Sequence, residues 1–506
     1  MSGVRYFLAI TVIVVYIALC LLCWIKYRQR ERVTQSDSGI GKDAILVAYA
    51  SQTGNAEKLA QQSVLQLEQA GLSCKLLSLH KVDESLLAQT ARTLFVVSTY
   101  GEGEPPDTGA AFLRRYLKKN DAALAHLQFG ILALGDRDYR HFCGFGHALN
   151  HGLHHRGATS LFDVVEVDKQ DESALRHWQY YLGQLSGQTH FADWSQPGYE
   201  NWCLRARTCL NPDSPGHPAY HIQLQPAKEV IAPGKWQAGD IAEIGPCNPP
   251  ARVRQFLREL TLDGYARVAD TGMSLEQLLM RRRLPEHSFE NYRSLSVEDL
   301  LGQLPELPHR EYSIASLPED GTLDLIVRQV QLSENTLGLG SGWLTAYAQA
   351  GDDIALRVRV NQRFHAPTDD RPIILVGNGT GLAGLRAHLR ARIRAGYRRN
   401  WLLFGERTLA NDFFFADEIL AWKKQGYLTH LDLAFSRDQR EPRYVQHLLL
   451  EKREVIRQWI DEGAAIYVCG SLEGMAQGVD EVLTEILGEE MLETLADNER
   501  YCRDVY

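Results

Sequence analysis

The chain has 506 residues, too many for a single hydrophobic core, and ordinary domain sizes lead one to expect about three domains. A net charge of -9 provides no overall positive field for phosphates, which argues against nucleic acid as a partner. Nine cysteines are scattered, and the only close pair, Cys20 and Cys23, lies in an apolar run; this favours a reducing compartment over a disulfide framework or a zinc site, and no metal centre is expected.

From Tyr6 to Ile25 the chain is apolar and uncharged. About 20 helical residues at ~1.5 Å each match a hydrocarbon layer ~30 Å thick, so this stretch predicts one transmembrane helix. The run is long for a cleaved signal peptide and no small-x-small site follows it. Lys26, Arg28, Arg30 and Arg32 follow the run while only Arg5 precedes it, which puts the remaining domains on the cytoplasmic side. Residues 1–42 are therefore expected to be an anchor and a short polar tether.

Residues 43–186 alternate apolar runs (44–50, 74–79, 93–99, 129–135 and 161–167) with segments of helical period such as Ala56, Leu59, Ala60, Val64 and Leu67. This predicts a doubly wound α/β domain with ligands beyond the strand C-termini. Three loops fall there. Ser51, Gln52, Thr53, Gly54, Asn55 and Ala56 offer hydroxyls, an amide and backbone N–H groups to a phosphate monoester at a helix N-terminus, with no P-loop lysine. Ser98, Thr99, Tyr100, Gly101, Glu102 and Gly103 form the second loop. Leu134, Gly135, Asp136, Tyr139, Phe142 and Cys143 belong to the third. Tyr100 and Tyr139 could flank a planar ring whose edge the glycines let the backbone approach. The set resembles a flavodoxin-type FMN domain.

Residues 187–215 have little periodicity and are expected to be a linker. Residues 216–366 read as strands around a helical insertion at about 247–306. After the insertion comes Arg310-Glu311-Tyr312-Ser313-Ile314-Ala315-Ser316, a strand with one ligand-facing side: an arginine can hold a pyrophosphate and a tyrosine can lie on a flavin ring. Gly338, Gly340, Ser341, Trp343 and Leu344 lie in a glycine-rich turn whose N–H groups suit the same pyrophosphate. Residues 367–506 open with an apolar strand running into Gly379, Thr380 and Gly381, and further strands at 401–405, 428–434 and 464–469 alternate with helices. Ser436, Arg437, Arg443, Tyr444 and Gln446 could take an extra phosphate on a dinucleotide, and Cys469 would bring a thiol nearby.

From about residue 44 to its end the chain resembles the diflavin reductases, the NADPH-haemoprotein reductase and sulfite reductase flavoprotein type. The resemblance implies a flavodoxin-like domain followed by a ferredoxin-reductase-like module, an antiparallel FAD barrel and a Rossmann-like NADPH domain. It implies FMN, FAD and NADPH as cofactors and a haem or iron protein as the one-electron acceptor. Arg310, Tyr312 and Ser313 are implied to bind FAD, Ser313, Cys469 and Asp504 to assist hydride transfer, and Tyr506 to cover the FAD ring. The ending Arg500 to Tyr506 looks closer to the sulfite reductase type. A reductase for ferric chelates or for a sulfite reductase haemoprotein partner, and a flavin-binding redox module without turnover, are the alternatives. The acidic rim Glu102, Glu104 and Asp107 could meet a basic partner. Departures from the family pattern are Gly384 and Leu385 for Pro-Phe, Pro442 for a lysine, Ser471 for an acid, and a shortened helical insertion.

Overall fold

The computed structural model describes residues 44–506 apart from 52, 53, 100–102, 104, 107, 108, 110, 111, 114–122, 170, 189, 190, 192, 195–197, 227–235, 269, 270, 286–288 and 335, and describes 473, 493 and 497 by backbone only. The described residues form two compact units that divide after Gln188. The expected anchor and tether lie outside the described residues. Among the described residues no helix is long and apolar enough to cross a membrane.

In the first unit the apolar runs become parallel strands: β1 (Ile45–Ala50), β2 (Cys74–Ser78), β3 (Arg92–Ser98), β4 (Gln128–Gly135), β5 (Thr159–Ser160) and β6 (Val165–Asp168). Their order is β2-β1-β3-β4-β5, with β6 also on β4. The inner strands are buried along nearly their whole length, as a parallel sheet covered by helices on both faces requires. The single strand expected at 161–167 arrives instead as β5 and β6. Phe162 turns inward between them, stacks on Tyr181 with ring centroids 4.2 Å apart, and fills the space beside Gly130, where a Cβ would lie 2.4 Å from its ring.

The second unit opens with β7 (Glu200–Cys209), β8 (Ala219–Pro226) and β9 (Ile241–Gly245). The linker expected over 187–215 is therefore interrupted by a barrel strand. Trp202 and Leu204 point into the core, but the register slips between Leu204 and Ala206, which breaks the alternation that would have betrayed a strand. Helices Pro250–Leu260, Leu275–Met280 and Val297–Gln303 follow and pack around Phe256, Leu279 and Leu300 as a small core of their own. Then come β10 (Arg310–Ser313), β11 (Leu323–Arg328), the hairpin β12 (Gln331–Ser333) and β13 (Thr336–Leu337), and β14 (Asp353–Arg359). The antiparallel order β10-β9-β14-β7-β8-β11 closes on itself through the Ile314–Leu325 bridge, so the sheet is a barrel without free edges.

The remaining strands, β15 (Ile373–Asn378), β16 (Asn400–Glu406), β17 (His430–Phe435), β18 (Ala465–Gly470) and β19 (Tyr501–Val505), form a parallel sheet in the order β17-β16-β15-β18-β19. Between β17 and β18 the helical segment divides into Val445–Glu451 and Arg453–Asp461 at Lys452, whose ψ of 14 leaves the helical range. Barrel and nucleotide sheet meet along a polar seam. The buried Arg386, on helix Leu382–Arg394, donates 2.7 Å hydrogen bonds to Ala315 O and Glu418 and lies 3.6 Å from Asp324. Arg390 and Arg394 continue the seam to Asp320.

Candidate active site

Ser313 ends β10, Cys469 lies near the end of β18, and Asp504 stands beside Cys469 in the β18–β19 register. The fold brings these distant residues together. Ser313 Oγ donates to Asp504 Oδ2 at 2.7 Å, Cys469 Sγ donates to the same oxygen at 3.6 Å, and Ser313 Oγ lies 4.0 Å from Cys469 Sγ. Burial, reinforced by the Asp504 charge, pushes the Cys469 thiol well above its ordinary pKa, so it is an uncharged donor rather than a thiolate. A Cβ on Gly384 would come 3.4 Å from Cys469 Sγ, so the glycine standing in the family's proline position leaves room beside the thiol.

Next to this cluster is a cleft of about 710 Å³. Gly379 and Thr380 line it, from the turn Gly379-Thr380-Gly381 at the start of helix Leu382–Arg394, while Gly381 is buried beneath. Gly379 has a φ of +55, and a Cβ on Gly381 would lie 2.1 Å from Cys469 O, so both positions demand glycine. Of the residues read from the sequence as dinucleotide contacts, Ser436, Arg443, Tyr444 and Gln446 line the cleft, whereas Arg437 and Cys469 are not among its lining residues. Arg443 is paired with Glu451, and Tyr506 stands at the cleft with its hydroxyl 3.1 Å from Thr380 Oγ1. Sequence reasoning missed Arg328, Asn378, Glu406, Arg407 and Met475 in the same lining, and noted Ser471 only as a departure from the family pattern. An acid ending the second strand of a nucleotide sheet, here Glu406, was the one available signal.

Arg310 and Tyr312 sit against the turn that follows β13: a Cβ on Gly340 would come 2.6 Å from Arg310 Cγ and 2.7 Å from the Tyr312 hydroxyl. That cradle, with glycine where backbone must come close and arginine and tyrosine beside it, fits a pyrophosphate with an attached ring. Ser341 Oγ accepts from Val330 N at 3.1 Å and lies 2.8 Å from where a Cβ on Gly338 would stand. Trp343 and Leu344 are buried in the barrel core.

In the first unit, Gln52, Thr53, Tyr100, Gly101 and Glu102 fall outside the described residues, as do Glu104 and Asp107. Gly54, with a φ of +86, N-caps helix Asn55–Gln69, and its N–H donates to Ser51 Oγ at 2.9 Å. Ala56 is buried on the first turn of that helix. Ser98 Oγ donates to Ala50 O at 3.1 Å, and Thr99 Oγ1 accepts from Phe145 N at 3.3 Å. The third loop folds back on β4: a Cβ on Gly135 would meet Cys143 N at 2.8 Å, and one on Gly103 would meet His141 Cβ at 2.5 Å. Leu134 is buried, while Asp136 accepts from Asp138 N and pairs with Lys169. Tyr139 is exposed, Phe142 lies under the Arg137 guanidinium at 4.3 Å, and Cys143 is core, its thiol donating to Ala133 O. Gly54, with its positive φ and open surroundings at a helix N-terminus, is the described position whose backbone fits a phosphate.

A second charged cluster covers one face of the barrel. Glu311, Glu243 and Arg357 are opposite one another on β10, β9 and β14. Arg357 pairs with Glu243, and Arg359 bonds Glu311 at 2.8 Å. His309 lies 2.9 Å from Asp193 and 3.4 Å from Glu311. Burial opposes the imidazolium, but the bonds to Asp193 and Glu311 outweigh it and raise its pKa to about 10. Glu243, His309 and Glu311 are close enough for a metal, yet arginines pair with both carboxylates, so the cluster reads as an ion-pair network.

A flavodoxin-order sheet, a closed barrel and a nucleotide sheet with a glycine turn define a flavoprotein oxidoreductase that uses a nicotinamide dinucleotide. Residues 47–178 match the flavodoxin family and residues 375–481 the oxidoreductase NAD-binding domain family. The sulfite reductase [NADPH] flavoprotein alpha-component of Vibrio cholerae serotype O1 is 31% identical over 540 residues, covering 91% of this chain and 87% of the relative. The protein of the same description from Bacillus subtilis is 30% identical, covering 91% and 89%. The chain belongs to the diflavin reductase family, and its cofactors are FMN, FAD and NADPH.

Proposed function

We propose that this protein takes electrons from NADPH through FAD and FMN to a one-electron acceptor, a haem or iron protein, with its catalytic domains held at a membrane by residues 6–25 and facing the cytoplasm. In this reading residues 43–186 bind FMN, 216–366 FAD and 367–506 NADPH. Bound FAD can accept an electron pair as hydride, and bound FMN can release electrons singly. The observation that carries the reading is the convergence of Ser313, Cys469 and Asp504 beside the Gly379-Thr380-Gly381 turn.

The protein's own groups have separate tasks. Asp504 gathers the Ser313 hydroxyl and the Cys469 thiol on one oxygen, which fixes both donors in the space where a nicotinamide would meet a flavin. The thiol keeps its proton and its buried surface excludes water. Tyr506, tied to Thr380 at the cleft, would cover the flavin ring and move aside for the dinucleotide. Arg310 and the turn around Gly340 would hold a pyrophosphate, and Ser51 with the Gly54 turn a monophosphate.

The sulfite reductase relatives favour a sulfite reductase haemoprotein as one specific acceptor, and a ferric chelate is the other. The test is to purify the full chain in detergent, measure bound flavins, and follow NADPH oxidation with cytochrome c, a ferric chelate and a sulfite reductase haemoprotein in parallel. Turnover with one acceptor far above the others identifies it. A preparation that stays colourless after incubation with both flavins overturns the reading, and flavin absorbance without turnover would leave only a binding module.

A further inference from the structure

The cleft holds a charge pair assembled from both sides of the seam. Glu406 is the last residue of β16, the second strand counted from the glycine turn. In dinucleotide folds an acid there accepts from ribose hydroxyls, favours NADH and repels a 2′-phosphate. Here both carboxylate oxygens are already engaged. Oε1 pairs with Arg328, and Oε2 accepts the Arg407 N–H at 2.8 Å. Arg328 comes from the far side, at the end of barrel strand β11. Its head is fixed by a 3.0 Å bond to His217 O and lies 5.8 Å from the Phe414 ring. A Cβ on Gly379 would lie 3.5 Å from both Arg328 Nη2 and Glu406 Oε1, so the pair sits against the glycine turn at the cleft.

We propose that Arg328 is a specificity-determining residue: by occupying Glu406 it masks an NADH-type acid and makes the cleft select NADPH. The proposal rests on the reading that this cleft takes the dinucleotide. Glu406, with its charge balanced and both oxygens engaged, no longer repels the 2′-phosphate and rewards a free ribose hydroxyl less. Arg407 adds to the effect, because its Nη1 is buried with no hydrogen-bond partner among the described residues and its side chain lines the same cleft. Ser436 and Arg443, the latter paired with Glu451 outside the cleft lining, then face the phosphate with the Glu406 charge neutralised.

The experiment is calorimetric titration of NADP⁺ and NAD⁺ into the full-length, flavin-loaded protein and three variants: Arg328→Leu, Glu406→Gln and the double substitution. Arg328→Leu is expected to weaken NADP⁺ by ~10-fold or more, with NAD⁺ unchanged or tighter, because an unmasked carboxylate faces the ligand. The double variant regains most of the NADP⁺ affinity. Equal loss for both dinucleotides in Arg328→Leu, or a double variant as weak as the single one, overturns the proposal. Should Arg328→Leu fail to fold, Glu406→Gln decides alone, since it must keep or tighten NADP⁺ binding and a fall refutes the masking role. A wild-type protein that binds neither dinucleotide would instead remove the cleft reading beneath it.

Discussion

The molecule contains two parallel sheets, each with a glycine turn after one of its inner strands, and Gly54 of the first turn and Gly381 of the second are required for opposite reasons. In the first unit Gly54 has a φ of +86 and no neighbour within 4 Å of a built Cβ, so the demand there is conformational. In the nucleotide sheet Gly381 has an ordinary helical φ of -60, but its Cβ would sit 2.1 Å from Cys469 O, so the demand is steric. The first turn is shaped by its own backbone, whereas the second is shaped by a neighbouring strand that also carries the thiol.

The largest effect expected from breaking this comparison is at the crowded turn. Gly381→Ala must displace the Cys469 backbone, and overpacking of this kind costs about 3 kcal/mol or more. A clear drop in the melting temperature of the second unit and loss of NADP⁺ binding by calorimetry are expected, while flavin bound to the first unit is retained. Asp504→Ala comes next. It removes the oxygen shared by Ser313 and Cys469, and flavin reduction by NADPH in stopped-flow should slow on the order of 10²-fold with both flavins still bound. Cys469→Ala is expected to slow the same step less.

A middle-sized effect should come from His309. Its pKa rises from 6.5 to about 10 on folding, so its stabilisation is complete below pH 6.5 and disappears as the pH climbs through about 10. Denaturant titrations across that window should show stability falling with pH, and His309→Gln should flatten this dependence. Smallest is Gly54→Ala, where left-handed backbone strain alone costs about 1 kcal/mol. It should weaken FMN retention several-fold and leave nucleotide affinity unaltered.

Local patterning revealed the two parallel sheets, because buried strands of continuous apolar residues and Gly-rich turns announce themselves over short stretches. Family likeness, and not spacing, pointed to Ser313, Cys469 and Asp504, which meet only through the β18–β19 register and the seam. Strand β7 was hidden because its bulge halves the alternation. The His309 network and the Arg328–Glu406 pair were illegible for a different reason: lone charged residues look solvated until the tertiary fold buries them against partners far away in the chain.

The arginine seam carries a consequence for how the second unit keeps its accuracy. Ser313 belongs to the barrel, Cys469 and Asp504 to the nucleotide sheet, and the spacing between them is inherited from where Arg386, Arg390 and Arg394 lock one body to the other. Hydrogen-bonded charge tolerates little sliding, because each guanidinium fork has a fixed geometry, so the two bodies share one alignment in which oily surfaces alone would permit several. Catalytic tolerance in this enzyme is thus set by masonry laid well behind the reacting groups.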